Sequence, residues 1–272
     1  MKLLVEKIKL NNQFSILDAM IDIFCLLYHD ISKELIMLEL NKKIQEAKDV
    51  ITKIKNDDIK LKKLIYFFYS YWKFKSVDGI YNVSNALRID YVLREKKGIA
   101  LSLGIILIDI AKKLDINLYP IIFPTQFIVS FNDKNNKEII LINPVNGEFL
   151  NKETLDLWLK GSVSPTTTLK EEDLKYSENI VVLHKILHNL KLALIEEKNM
   201  ILALKISNFL IQIKENDPYE IRDRGLIYAH LECNRIAISD LTYFIEKCPD
   251  DPVAEIIRMQ IHLIKKKSIV LH

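Results

Sequence analysis

Cysteine, glycine and proline are all scarce in this chain of 272 residues, with 3, 6 and 7 copies. Cys25, Cys233 and Cys248 are odd in number, show no C-x-x-C spacing and have no histidines at zinc-ligand intervals. That excludes a disulfide framework and a cysteine zinc site, and it suits a reduced cytoplasm. Charge of one sign is lacking too: 39 basic residues face 36 acidic ones, for a net +3. The basic positions are scattered except for short runs such as Lys265-Lys266-Lys267, so the field is too weak to argue for nucleic acid. Long apolar runs are missing. The longest, Ile99 to Ile108, is followed at once by Asp109 and is far shorter than a bilayer span. The opening MKLLVEKIKLNN breaks every apolar stretch with charge, so no signal peptide is expected, and no membrane partner either.

What is present is enough apolar material, 49% of residues, to bury a sizeable core. From about Ser15 to Lys75, Ile16, Ala19, Ile23 and Leu26, then Leu64, Phe67, Phe68 and Tyr71, recur at helical spacing. Asp78-Gly79 interrupts this head. A helix is predicted from about Ser84 to a stop at Gly98, and another from Leu101 to Leu114. The texture then becomes β-rich. Asn117–Phe123, Phe127–Phe131 and Glu138–Ile142 read as adjacent antiparallel strands, split by Pro124 and the polar turn Asn132-Asp133-Lys134-Asn135-Asn136. Asn151 caps a short helix reaching Lys160, and Gly161 to Thr168 is small, polar and aperiodic. The fold class is α+β, mostly helical. The expected division is a helical head (1–75), a small α+β domain (76–160), a linker (161–176) and helical repeats (177–272).

The repeats rest on a period. Pro218 and Pro252 lie 34 residues apart, as do Ala203 and Ala237, and both prolines follow an acidic residue and open a helical run. That interval is the tetratricopeptide period. Leu187, Leu190 and Leu194 fill the large positions of one helix, while Ile221, Gly225, Tyr228, Ala237 and Pro249 match the large, Gly, Tyr, small and terminal Pro pattern of the next repeat. Pro252 to about Lys265 would be a capping helix.

Leu93-Arg94-Glu95-Lys96-Lys97-Gly98-Ile99-Ala100-Leu101-Ser102-Leu103-Gly104 resembles the entry to the nucleophile helix of transglutaminase-like enzymes. Phe123-Pro124-Thr125-Gln126-Phe127 resembles their His strand, and Ile142-Asn143-Pro144-Val145-Asn146-Gly147 their Asp turn. With Asp217 to Leu226 included, the order of motifs over about residues 60–272 resembles the SirB-type, YchA-like family, a transglutaminase-like domain followed by tetratricopeptide repeats. The resemblance implies a fold and a domain order. It places the nucleophile, base and orienting acid on Ala100, Gln126 and Asn143. Alanine has no nucleophile, and neutral amides cannot take a proton near neutral pH. Ser102 would need a general base, and no histidine lies between His29 and His184. No triad catalysis is expected, and no cofactor or metal.

Other candidates have plain readings. His184 and His188 stand one turn apart and could share a metal with a third ligand, but a helix start with one ring solvated explains them too. The three cysteines are expected in packed positions, the aromatic run Tyr66 to Trp72 on a core face, and Lys265 to Lys267 at a solvated helix end. Two function classes follow. In the first, the repeats bind a protein or peptide partner in a concave groove through Tyr219, Arg222, Asp223, Leu226 and His230. In the second, a hydrolase or acyl transferase uses a rearranged site in the middle cleft.

Overall fold

The computed structural model describes residues 2–10, 14–132 and 139–270. Packing divides the chain into two compact units, residues 11–183 and residues 184–272 together with 1–10. These boundaries differ from the four segments expected.

The chain opens with α1 (Lys2–Leu10), a helix of the second unit. In the first unit, α2 (Ile16–Leu27), α3 (Lys33–Ile51) and α4 (Asp57–Ile65) each start where a small polar residue, Ser15, Ser32 or Asn56, accepts a backbone N–H of the first turn. Beyond α4 the helix widens into a π-turn over Tyr66–Tyr71, with Trp72 N–H bonded to Phe67 O, five residues back. Phe67, Phe68, Trp72 and Phe74 are buried, and the Phe68 and Phe74 rings stack at 4.4 Å, so the aromatic run forms core while Tyr66 and Tyr71 stay exposed.

The helix expected from Ser84 to Gly98 is two helices, α5 (Val83–Leu87) and α6 (Ile89–Glu95). Arg88 between them is extended, at φ −71° and ψ 122°. Its guanidinium bonds Asp90 at 2.8 Å and lies 4.4 Å from the Tyr28 ring, partners that draw it out of helical geometry. A short parallel ladder joins β1 (Lys75–Ser76) to β2 (Lys97–Gly98).

Next comes α7 (Ala100–Lys113), followed by β3 (Leu118–Ile122), β4 (Phe127–Asn132), β5 (Ile139–Ile142) and β6 (Phe149–Leu150), an antiparallel sheet in that order. The last strand has no counterpart in the sequence pattern. The turn Asp133 to Asn136 and Glu138 lie outside the described residues. Five β4 residues, Phe127 to Phe131, are buried, because the strand is covered on both faces. Ile128, with Ile121, Phe123 and Leu141, packs against Leu155 and Leu159 of α8 (Lys152–Ser162), which Asn151 caps through Thr154 N–H at 2.8 Å. The opposite face meets α7.

The segment expected to link domains belongs to this unit. Gly161 and Ser162 complete the last turn of α8, Leu169 and Leu174 pack on the sheet cluster, and Ser177 N–H bonds Pro120 O at 2.7 Å.

The second unit takes α9 (Asn179–Glu196) from His184 on and adds α10 (Met200–Ile213), α11 (Pro218–His230), α12 (Asn234–Lys247) and α13 (Ala254–Val270). Pro218 opens α11 where its missing N–H costs nothing, and Asp217 caps the turn. Ala203 and Ala237 are fully buried. A Cβ on Gly225 would stand 3.0 Å from Asp240 and Leu241, so the α11–α12 crossing is set by a residue without one. Ala237, Leu241 and Phe244 then meet Ile257, Ile261 and Ile264 of α13. Helix α1 packs on α10, burying Val5 and Ile8 and pairing Lys9 with Glu215 at 2.8 Å. Lys265 and Lys266 are exposed on α13, and the Lys267 side chain lies outside the described residues. Among the described residues no helix is long and apolar enough to cross a membrane.

Candidate functional sites

In the first unit, α7 starts at Ala100, with extended Ile99 before it. Four residues on, Gly104 lets the helix press on the strand and the turn: a Cβ there would stand 2.5 Å from the Phe127 ring and 3.2 Å from Pro144. The structure therefore packs the helix begun by Ala100 against the residues that follow Gln126 and Asn143. Ser102 is fully buried. Its hydroxyl donates to Ala86 O at 2.6 Å and accepts Ile99 N–H at 3.1 Å, so its proton and a lone pair are already used in joining α5 to the start of α7. Asn143 is buried too. Its Oδ1 accepts Val145 N–H at 3.2 Å and its backbone O accepts Gly147 N–H at 2.8 Å, the arrangement of a turn rather than of a group facing a neighbouring base. Gln126 is half-buried just ahead of β4. Tyr69 donates its hydroxyl to Pro144 O at 2.8 Å, and burial pushes its pKa above the ordinary phenol value.

Cys233, expected in a packed position, is exposed at the residue before α12, while Cys25 is half-buried and Cys248, also half-buried, packs on the α12–α13 cluster. Burial, then the neighbouring Asp22, pushes the Cys25 thiol up, away from thiolate chemistry.

The second unit holds a charge cluster that the sequence reading did not assemble. Lys191 of α9 has no exposed surface, and its ammonium donates to Glu220 Oε2 at 2.5 Å and Asp223 Oδ2 at 2.7 Å, both on α11. His188 Nδ1 lies 3.3 Å and His184 Nε2 3.6 Å from Glu220 Oε1. Burial works against ionised Glu220, but the His188 hydrogen bond and the Lys191 charge outweigh it and hold the carboxyl down at about 2. His184 goes the other way, lowered chiefly by burial despite Glu220. His188, Glu220 and Asp223 bring one nitrogen and two oxygens within 4.8 Å of one another, close enough to ligate a metal. The Lys191 ammonium already stands at both carboxylates, so an entering ion would have to displace it. The signal was in the sequence: a lysine beside Leu187, Leu190 and Leu194 on an apolar helix face, with two acids three residues apart on the next first helix.

Of the residues expected to face a partner, Asp223 is 8% exposed and is held by Lys191, so it is not an available carboxylate. Its Oδ1 accepts Arg222 Nη2 at 2.7 Å and Nε at 3.0 Å. Arg222 lies 5.4 Å over the Tyr219 ring and 5.3 Å over Phe244. Tyr219 is 47% exposed and donates its hydroxyl to Asp251 at 2.9 Å. Leu226 is half-buried against the α12–α13 cluster, and His230 is exposed in the last turn of α11.

These two halves match known families in the same order. A transglutaminase-like superfamily model matches residues 34–188, and a tetratricopeptide repeat model residues 190–262. The UPF0162 protein of Buchnera aphidicola subsp. Schizaphis graminum is 49% identical over 96% of this chain and 97% of its own. Protein SirB1 of Salmonella typhimurium is 45% identical over 96% and 97%. UPF0162 protein YchA of Escherichia coli is 49% identical over 86% and 87%. The chain belongs to the UPF0162 family. Its architecture is the one that the SirB1 and YchA resemblance implied, a transglutaminase-like domain followed by tetratricopeptide repeats. No solved structure matches.

Proposed function

We propose that the chain is a cytoplasmic, non-catalytic protein-interaction or regulatory scaffold whose transglutaminase-like domain keeps the fold of an enzyme but not its chemistry. The observation that carries this reading is the fate of the one hydroxyl at the helix start: Ser102 is buried and tied to Ala86 O, beside an Ala100 that offers no nucleophile. The partner-binding surface we assign to the exposed side of α11. There Arg222 is fixed between Asp223 and two rings, and Tyr219 is steadied by Asp251, so a ligand meets a cation and an amphipathic ring that are already ordered. Preordered aromatic and guanidinium groups lose little entropy on binding and often dominate interface energetics. Asp223 supports this surface from beneath; Leu226 and His230 extend it along the helix.

The test has two arms. Purified protein should show neither amide hydrolysis nor glutamine-dependent crosslinking, and turnover surviving in a Ser102→Ala, Gln126→Ala variant would locate chemistry elsewhere. Affinity capture from native extract should yield a protein that Tyr219→Ala and Arg222→Ala lose and Lys266→Ala retains. Equal capture by all three would remove α11 as the binding surface.

A further inference from the structure

The search leads to a group of cations in the first unit. Lys96 ends α6 in a left-handed conformation, φ +58°, a place that glycine or asparagine ordinarily takes. The conformation turns its side chain back over the helix end, where the amine donates to Leu93 O and, at 3.3 Å, to Glu39 Oε1. Lys43 arrives from α3 with a side chain only 8% exposed and bonds the same Glu39 oxygen at 2.9 Å. Aromatic faces wall the pair: Lys43 lies 5.6 Å from the Trp72 ring and 5.8 Å from Phe74, and Lys96 lies 5.2 Å from Phe74. Glu46, the next acid along α3, accepts the Trp72 indole N–H at 2.9 Å.

Two ammonium groups thus converge on one carboxylate oxygen at the edge of an aromatic core. Lys43 has the shorter ion pair and two rings beside it. Lys96 bears the excess: burial first, then the Lys43 charge, lowers its pKa against the pull of Glu39. Two of its N–H groups have acceptors, Leu93 O and Glu39 Oε1, and the nucleophile is the fraction of the amine that has lost its third proton. A lysine next to another cation and partly out of water is a better nucleophile than an ordinary surface lysine. Lys96 keeps 29% of its side chain exposed, so a small electrophile can reach it.

We propose that Lys96 is a modification site, an amine that accepts acyl groups from small acyl phosphates. The Nζ lone pair attacks the acyl carbon, the C–N bond forms, and the C–O bond to phosphate breaks with its electron pair leaving on inorganic phosphate. The proton lost by the nitrogen passes to water. The step is stoichiometric and is independent of the interaction surface on α11.

Acetyl phosphate is the probe, applied to the full-length protein at pH 7.5, with site-resolved acetylation followed by mass spectrometry. Lys96 should react at least about threefold faster than the exposed Lys53 and Lys62. Lys43→Gln removes the neighbouring charge and should slow Lys96 toward the controls. Glu39→Gln removes the carboxylate that favours the ammonium and should speed it. Unfolding of the first variant would accelerate labelling, the opposite of its expected effect, and circular dichroism identifies that case; Glu39→Gln then decides alone. Lys96 labelling no faster than the controls, or Glu39→Gln leaving it unchanged or slower, overturns the assignment.

Discussion

Lys191 Nζ lies 2.5 Å from Glu220 Oε2 and 2.7 Å from Asp223 Oδ2, and none of the three side chains is more than 10% exposed. Removing the ammonium alone leaves two carboxylates facing each other without water. Breaking a buried pair from one side costs about 3–5 kcal/mol. Lys191→Met should lower unfolding stability by about that much in urea titrations of the whole chain. Adding Glu220→Leu should recover part of it, so a double-mutant cycle shows coupling. A purely additive cycle would mean that the contact is not energetically formed.

Acid should weaken the same cluster, and the sign follows from two groups. Glu220 is held at about 2, below its ordinary 4.5, so its stabilising part is fully present above pH 4.5 and disappears as pH falls toward 2. His184 is lowered from 6.5, so the unfolded chain binds its proton more readily, and stability also declines as pH falls below 6.5. Melting temperature should therefore drop in two stages on acidification. In Glu220→Gln the lower stage should shrink, and a variant with an unchanged profile would contradict the assignment.

At the start of α7 the prediction concerns structure. Ser102→Ala removes the donor to Ala86 O and the acceptor for Ile99 N–H, both in the buried joint between α5 and α7. An unsatisfied buried group costs about 1–3 kcal/mol. The variant should lose stability by that order, measured by denaturant midpoint. An unaffected midpoint would show that the hydroxyl is free for something else.

Gly104→Ala tests the contact that brings the helix onto the strand and turn. The added Cβ would stand 2.5 Å from the Phe127 ring, so the ring or the helix must move. Overpacking of this kind costs about 1–3 kcal/mol. Phe127→Leu in the same chain should restore part of the loss by opening space.

Much of this was written in local signals. The 34-residue spacing of Pro218 and Pro252 placed the repeats, because proline at a helix start and small residues at a crossing are requirements of the backbone. The order of β3, β4 and β5 followed from β-rich segments and the proline and polar turn between them. What stayed hidden depends on partners distant in sequence. Arg88 breaks a helix without glycine or proline because Tyr28 and Asp90 hold it. Segment 161–176 reads as a linker by composition, yet Leu169 and Leu174 bury against the sheet. At the candidate site the resemblance offered three positions to examine, Ala100, Gln126 and Asn143, residue by residue. The Lys191 cluster left its residue types in the sequence but not their pairing, since its charges come from two helices and balance only in three dimensions.

The pairing of α1 with α10 makes the second unit discontinuous: its first strip leaves the ribosome before residues 11–183, and its remainder after them. At ordinary synthesis rates, about 5–20 residues per second, α1 waits roughly ten to forty seconds for its partner helix to appear. During that interval Val5 and Ile8 have no α10 to cover them. The repeat unit is therefore completed only once α10 has emerged, by a helix synthesised before residues 11–183.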